Sequence, residues 1–335
     1  MLNGTNQIPA EVNNFYDRTL LKSAKPALLH RRWAQRRNLP KNSGTRTVKF
    51  RRYARLSTAT TPLTEGVTPT GSTLSVTNLT ATVYQYGDFL RLSDQVSTQT
   101  QDKILQETAE LLGEQAGETY DELARDVMVT GTNVLYGGVA TSRGTVQAGE
   151  NITTTLLDKA INILDNGNAR KITKMVTPDP GYESRPINSC YVGIVHPNVA
   201  YTLQGLTGFI PVEKYANKAD VMDNEIGSYK EIRFVKTTKA KVFSGAGASS
   251  INVYGTIILG ADAYGDVGLG ISESITPNGM SEKKVMGVEF IYKGFGAGED
   301  PLNQRQTTGW KGDYVTTILN DDFLLRIETS VAFEG

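Results

Sequence analysis

Apolar residues at Ile104, Leu105, Leu111, Leu112, Ala116, Tyr120, Leu123, Ala124, Val127 and Met128 recur at three- and four-residue intervals. That spacing predicts one amphipathic helix from Gln101 to Met128. Roughly 28 residues at 1.5 Å each give a rod of about 42 Å, longer than an ordinary globular helix. Gly131-Thr-Asn133 supplies its stop. Upstream, Phe15, Leu20, Leu21, Ala24, Leu28, Leu29 and Trp33 lie near helical spacing with Lys and Arg between them, so Val12 to Ala34 reads as a basic amphipathic arm. Pro26 interrupts the arm, and a turn at Pro40 to Gly44 ends it.

From Thr45 the period drops to two. Val48, Phe50 and Arg52 alternate with Thr47, Lys49, Arg51 and Tyr53, and a second Thr-rich run covers Leu74 to Tyr86. Between them Ser57 to Ser72 is rich in Thr, Pro and Gly. The pattern predicts an extended hairpin with a long polar tip, and a two-stranded ribbon is marginal alone in water. It needs a surface to lie on. Further along, the sequence predicts a helix at Leu156 to Asp165, a buried strand at Cys190 to Val195 and a helix after His196. Strands follow at Ile232 to Lys236, Ile251 to Leu259 and Val285 to Lys293. A closing pair is predicted at Tyr314 to Leu319 and Phe323 to Glu328, joined by an Asn320-Asp-Asp322 turn.

Charge sharpens this picture. The chain has 335 residues and zero formal net charge, yet Arg18 to Arg55 carries thirteen Lys and Arg with no acid between Asp17 and Glu65. The long helix is the opposite, with Asp102, Glu107, Glu110, Glu114, Glu118, Asp121, Glu122 and Asp126 against only Lys103 and Arg125. Segregation of this kind in a neutral chain suggests that a basic arm of one copy meets an acidic face of another, or packed nucleic acid. The arm residues Arg31, Arg32, Arg36 and Arg37 are candidates for either contact. They can pair with carboxylates of a neighbour or neutralise phosphates of double-stranded DNA without reading sequence. The subunit contact is the favoured of the two, with the spine acids Glu107, Glu110, Glu114 and Glu118 as the densest acidic face.

The search for chemistry yields little. No run of about 18 apolar residues exists, so no membrane-spanning helix is predicted, and the N-terminus lacks the layout of a secretory signal. The single Cys190 precludes an internal disulfide framework and begins an apolar run, so it reads as core. The two histidines, His30 and His196, have no other metal ligand at fixed spacing, and His196 before Pro197 reads as structural. Gly294-Phe-Gly-Ala-Gly298 lacks the Lys-Ser/Thr of a phosphate loop. Neither an active site nor a cofactor or metal site is predicted, and a non-enzymatic chain is expected.

The order of basic arm, long hairpin, long helix and mixed domain resembles the major capsid proteins of tailed bacteriophages with the Hong-Kong-97-type fold. Tyr16-Asp-Arg-Thr-Leu-Leu21, Thr47-Val-Lys-Phe-Arg-Arg-Tyr53, Thr61-Pro-Leu-Thr-Glu-Gly-Val-Thr-Pro69, Tyr84-Gln-Tyr-Gly-Asp88, Gly131-Thr-Asn-Val134 and Trp310-Lys-Gly-Asp-Tyr314 resemble the family named for the coat protein of coliphage N-four. The resemblance spans nearly the whole chain. It implies an α+β capsid fold with an N-terminal arm at 1–44, an E-loop at 45–92 and a peripheral domain with a spine helix at 93–150. An axial domain at 151–270 and a peripheral return at 271–335 complete it. It places Pro62, Leu63, Thr64, Glu65, Gly66 and Val67 of the E-loop on an adjacent subunit. It implies hexamers and pentamers of the chain itself, enclosing double-stranded DNA in a virion assembled in the host cytoplasm. Family-like sequence begins close to Met1, so a separate scaffolding protein is expected, with a portal and a possible decoration protein. An encapsulin-like cargo compartment of the same fold is the alternative.

Overall fold

The computed structural model describes residues 29–39, 45–54, 56–68, 70–99, 104–173, 189–215, 221–269, 288–294 and 302–333. The predicted arm before Leu29, the Pro40 to Gly44 turn and most of the 294–298 loop lie outside the described residues.

The chain first forms β1 (Gln35–Leu39), then the hairpin strands β2 (Thr47–Tyr53) and β3 (Val76–Thr82), then β4 (Tyr84–Ser93). A short helix α1 (Asp94–Gln99) precedes the long spine α2 (Ile104–Met128), 25 residues in length. The spine ends where predicted, with the Gly131 N–H donating to the Met128 carbonyl at 3.2 Å. After β5 (Val134–Tyr136), α3 (Thr154–Asn166) is capped by the Thr153 hydroxyl, which accepts from the Leu156 N–H at 3.3 Å.

Then come β6 (Tyr191–Val195), α4 (Pro197–Gln204), β7 (Phe209–Pro211), β8 (Glu225–Tyr229), β9 (Ile232–Lys236), β10 (Val242–Phe243) and β11 (Val253–Leu259). His196 is the N-cap of α4: its Nδ1 accepts from the Asn198 N–H at 3.2 Å, and burial lowers its pKa. The structural reading of His196 holds. The chain closes with β12 (Tyr264–Leu269), β13 (Val288–Lys293), β14 (Arg305–Ile318) and β15 (Leu324–Thr329).

Two sheets organise these strands. The larger runs β5-β15-β11-β6-β9-β8-β7 with β10 beside β11, and its strands read as nearly continuous apolar runs because both faces are covered. On it pack Leu156, Leu157, Ala160 and Leu164 of α3 and Val199, Ala200 and Leu203 of α4. The five-stranded sheet contains β1, β12, β14, β13 and β4, with β1 parallel to β12 and the other pairs antiparallel. The spine bridges the two. Its middle packs Leu112, Ala116 and Tyr120 on Trp310 and Tyr314, whereas Ala124 and Met128 join Ile194, Ile257, Leu259 and Tyr264.

Three expectations need correction. The strands at Tyr314 to Leu319 and Phe323 to Glu328 do not pair: β14 lies in the five-stranded sheet, β15 lies in the larger one, and 320–323 carries the chain across. Arg36 and Arg37 sit on β1, a strand, although the spacing before it suggested a helical arm. The second hairpin arm is two strands, since only β3 pairs with β2 and β4 pairs with β14 from Tyr84 to Ser93. Strand β12, within 151–270, belongs to the five-stranded sheet, so the sheets interleave in sequence.

Candidate inter-subunit surfaces

The hairpin is anchored on one face and open on the other. Its register sets Phe50 opposite Leu79 and Val48 opposite Ala81, and these meet Leu39, Val83, Val267 and Leu319. Gly265 makes this contact possible, since a Cβ there would lie 2.9 Å from the Phe50 ring. On the opposite face Lys49, Arg51 and Thr80 are exposed. Beyond the Ala54 N–H to Ser75 carbonyl bond at 2.9 Å, the described tip residues 56–68 and 70–75 are all exposed. Pro62 to Val67 form its outermost turn, with Gly66 at φ 76° and Leu63 and Val67 78% and 64% exposed. A Cβ added to Gly66 would meet nothing within 4 Å. Among the described residues, nothing approaches the tip at that point.

The root of the arm is the reverse case, because it is locked into its own subunit. The His30 N–H donates to Asp121 Oδ1 at 2.8 Å, its Nδ1 lies 2.7 Å from Asp121 Oδ2, and the Tyr264 hydroxyl donates to its carbonyl at 2.5 Å. Arg31 donates from Nε and Nη2 to Asp266 Oδ2 at 3.1 and 2.8 Å. Its guanidinium lies 5.2 and 4.6 Å from the ring centres of Tyr120 and Tyr314, which stack on each other at 4.6 Å. Burial opposes the Arg31 charge, but Tyr314 and Asp266 outweigh it and raise its pKa. Burial raises the pKa of Asp266 despite the pull of Arg31 and Arg36, and pushes the Tyr120 phenol up to about 12.

The sequence placed Arg31, Arg32, Arg36 and Arg37 on a neighbour or on the genome. The structure instead buries Arg31 inside the subunit, its side chain 11% exposed. Arg32 pairs with Asp223 of the same chain at 2.9 Å in an exposed position, Arg36 is exposed opposite Asp266 in the β1–β12 register, and Arg37 is exposed. The spine acids divide likewise. Glu118 and Glu122 both hold Lys239 at 3.0 Å, and Asp126 holds Lys241 at 2.8 Å. Glu107, Glu110 and Glu114 lie half-buried on the N-terminal half of α2.

Two buried ion clusters escaped the sequence reading. Arg233 grips Glu225 at 2.7 and 2.5 Å with side chains 3% and 0% exposed. Glu328 receives Arg143 at 2.8 and 2.7 Å and Arg326 at 2.6 Å. Their only signal was an arginine inside an apolar strand, as in Ile232-Arg-Phe-Val235 and Leu324-Leu-Arg-Ile327. Buried pairs of this kind specify geometry, and each charge is costly to leave alone. Cys190 is fully buried, and desolvation pushes its thiol up to about 11, consistent with a core residue. No cluster of three or more His, Cys, Asp or Glu among the described residues is placed to hold a metal. Nor is any described helix long and apolar enough to cross a membrane.

A projecting hairpin, a spine helix crossing two sheets and an α+β body define the Hong-Kong-97-type capsid fold. The capsid protein of Ralstonia phage GP4 superposes with a TM-score of 0.68 at 15% identity, covering 90% of this chain and 88% of that one. The capsid of cyanophage P-SCSP1u gives 0.62 at 12% identity over 96% and 94%. An encapsulin from Synechococcus elongatus shares the fold at 0.53 and 10% identity, over 96% and 99%. A family model described as phage capsid protein matches residues 76–327, and the chain belongs to that family. It is also 30% identical over 135 residues to the major capsid protein of Pseudomonas phage KPP21, a match spanning 38% of this chain and 34% of that relative.

Proposed function

We propose that the chain is the major capsid subunit of a tailed phage, assembling as hexamers and pentamers into an icosahedral shell around double-stranded DNA. The observation that carries this reading is the hairpin, whose root is packed on its own sheet while its apolar-studded tip lies fully exposed. A ribbon with no core at its end gains order from another subunit. Family membership and the shared fold support the same reading. The motifs at Thr47 to Tyr53 and Thr61 to Pro69 favour the finer kinship with the coat protein family of coliphage N-four. Under this reading α2 and the five-stranded sheet form the peripheral part and the larger sheet the axial part. A separate scaffolding protein, a portal and a possible decoration protein complete the particle, and assembly takes place in the host cytoplasm.

The encapsulin-like compartment is the second reading, favoured by the shared fold with the Synechococcus protein. Electron microscopy of the expressed chain tests for shells, and nuclease digestion of purified virions tests their content. Protected double-stranded DNA supports the capsid. Shells holding only protein cargo support the compartment, and failure of the full chain to form shells with its scaffold present overturns both.

A further inference from the structure

The root of the hairpin has one paired edge and one open edge. Continuing the β2–β3 register, the Val83 N–H donates to the Arg46 carbonyl and the Ala54 N–H to the Ser75 carbonyl, both at 2.9 Å between residues directly opposite. Opposite pairs that exchange bonds alternate with pairs that do not, so Val48, Phe50 and Arg52 turn their backbone groups to β3. Thr47, Lys49, Arg51 and Tyr53 turn theirs away. The Thr47 N–H is taken by the Thr45 hydroxyl at 3.1 Å. Those of Lys49, Arg51 and Tyr53 have no partner among the described residues, since β2 and β3 form a sheet of two strands.

A cleft of about 1230 Å³ runs along that open edge. Every residue from Thr47 to Ala54 lines it, whereas β3 contributes Leu79 alone, which places the cleft on the side of β2 away from its partner strand. The opposite walls come from Gln35, Arg37 and Leu39 of β1 and from residues within 167–170 and 319–323. A strand of seven residues at about 3.3 Å each offers about 23 Å of edge.

The walls are cationic. Arg37, Lys49 and Arg51 are exposed with no acidic partner among the described residues, and Arg52 donates to the Asn320 side chain at 2.6 Å. Arg170 is neutralised by Asp262 at 2.6 Å, which leaves Asp322 as the unpaired acid of the lining among the described residues. Like charges directly opposite destabilise a strand pair, so this edge rejects a second copy of itself. Opposite charges stabilise one, so it admits a strand with acids set opposite Lys49 and Arg51. A nucleic-acid backbone could accept from the open N–H groups but offers no donor to the Lys49 and Arg51 carbonyls. An extended peptide satisfies donors, acceptors and cations together.

We propose that the open edge of β2 is a strand-addition site for an extended acidic segment of a second, different protein. The main chain of that segment pairs with Lys49, Arg51 and Tyr53, and its carboxylates meet Lys49, Arg51 and Arg37. The added strand extends a ribbon of two strands to three, and three strands with an apolar face are stable where two are marginal. Partner binding is thereby linked to the order of the hairpin. The site goes beyond the shell reading and stands or falls without it, because the edge and the cleft are complete in a single subunit.

The test titrates the full-length, unassembled subunit with a labelled short peptide alternating glutamate and valine. Fluorescence anisotropy is expected to saturate below about 1 mM. Hydrogen exchange is expected to slow at the Lys49, Arg51 and Tyr53 amides on binding, whereas Val48, Phe50 and Arg52 are slow already in the free subunit. Lys49→Thr with Arg51→Thr keeps the melting transition, threonine being a good strand residue, and weakens binding about tenfold. Tyr53→Pro removes one open N–H and no bond to β3, and weakens binding about fivefold. Should it melt early, a peptide N-methylated at alternate residues replaces it, with the same loss expected. Absence of saturation, or binding that leaves the three amides exchanging freely, overturns the proposal. Slow exchange at those amides in the unliganded subunit overturns it in favour of cover by the chain itself. Self-association that the peptide displaces assigns the edge to a second copy and overturns it. A DNA duplex, or a peptide alternating lysine and valine, that binds as tightly as the acidic peptide overturns it as well.

Discussion

At the scale of single residues, Arg31 shows how a charge that looks destined for a partner can be consumed internally. Its guanidinium joins Asp266 and two tyrosine rings, and Asp266 is only 4% exposed. Arg31→Ala leaves that carboxylate buried without its cation, which costs about 3–5 kcal/mol. The expected result is a large drop in the urea midpoint of the isolated subunit, with much of it recovered by Arg31→Met combined with Asp266→Asn. An unchanged midpoint in the single variant would contradict the anchoring role. Asp126 gives a pH signature. Despite burial, its bonds to Lys241 and Arg125 lower its pKa. A depressed carboxylate contributes stability that is complete above the ordinary carboxylate value and is lost as pH falls through its folded value. The stability difference between wild type and Asp126→Asn therefore shrinks from neutral to strongly acidic solution, and chemical denaturation at several pH values measures it. Cys190, with its raised pKa and full burial, is expected to resist thiol reagents at neutral pH until the chain is unfolded.

At the scale of elements, the tip makes the plainest prediction. Deleting Pro62 to Thr70 removes exposed chain and no described core contact, so the subunit keeps its melting transition but fails to form stable shells. Particles of normal size and thermal stability from that variant would remove the tip from assembly. The hairpin and spine were legible in sequence because each has one unbroken period: alternation in Thr47 to Tyr53, and threes and fours from Ile104 to Met128. Strand β12 was not legible, because Gly265, Asp266 and Gly268 break its alternation, and its aspartate reads as solvent-facing until Arg31 is found beside it. The pairing of 314–319 with 323–328 was read from a short turn between two strand-like runs, which is ordinarily good evidence of a hairpin. Here burial of both faces of the larger sheet claims β15 for β11 and β5 instead.

At the scale of the whole molecule, the segregated charge that dominates the sequence is partly spent on holding one subunit together. His30, Arg31 and Arg32 bind Asp121, Asp266 and Asp223, which lie on the spine, on β12 and just before β8. These partners are 91, 235 and 191 residues away, a separation no local pattern can reveal. The basic arm is thus rooted on its own subunit, and among the described residues near its end Arg36, Arg37, the exposed hairpin cations and the tip with its single Glu65 remain open to neighbours. Under the proposed shell reading, this distribution predicts particles held by non-covalent contacts. No lysine occurs between Lys49 and Lys103, so the hairpin tip carries no amine with which to form a side-chain amide to a neighbour. Mature particles boiled in denaturant should therefore migrate as one band near 36.5 kDa. Because the remaining charged contacts are exposed, the same particles should lose thermal stability as salt is raised toward 1 M, where screening acts over about 3 Å. A ladder of multimers on the gel would show a covalent link outside the hairpin. A melting transition indifferent to salt would show that apolar contacts alone hold the shell.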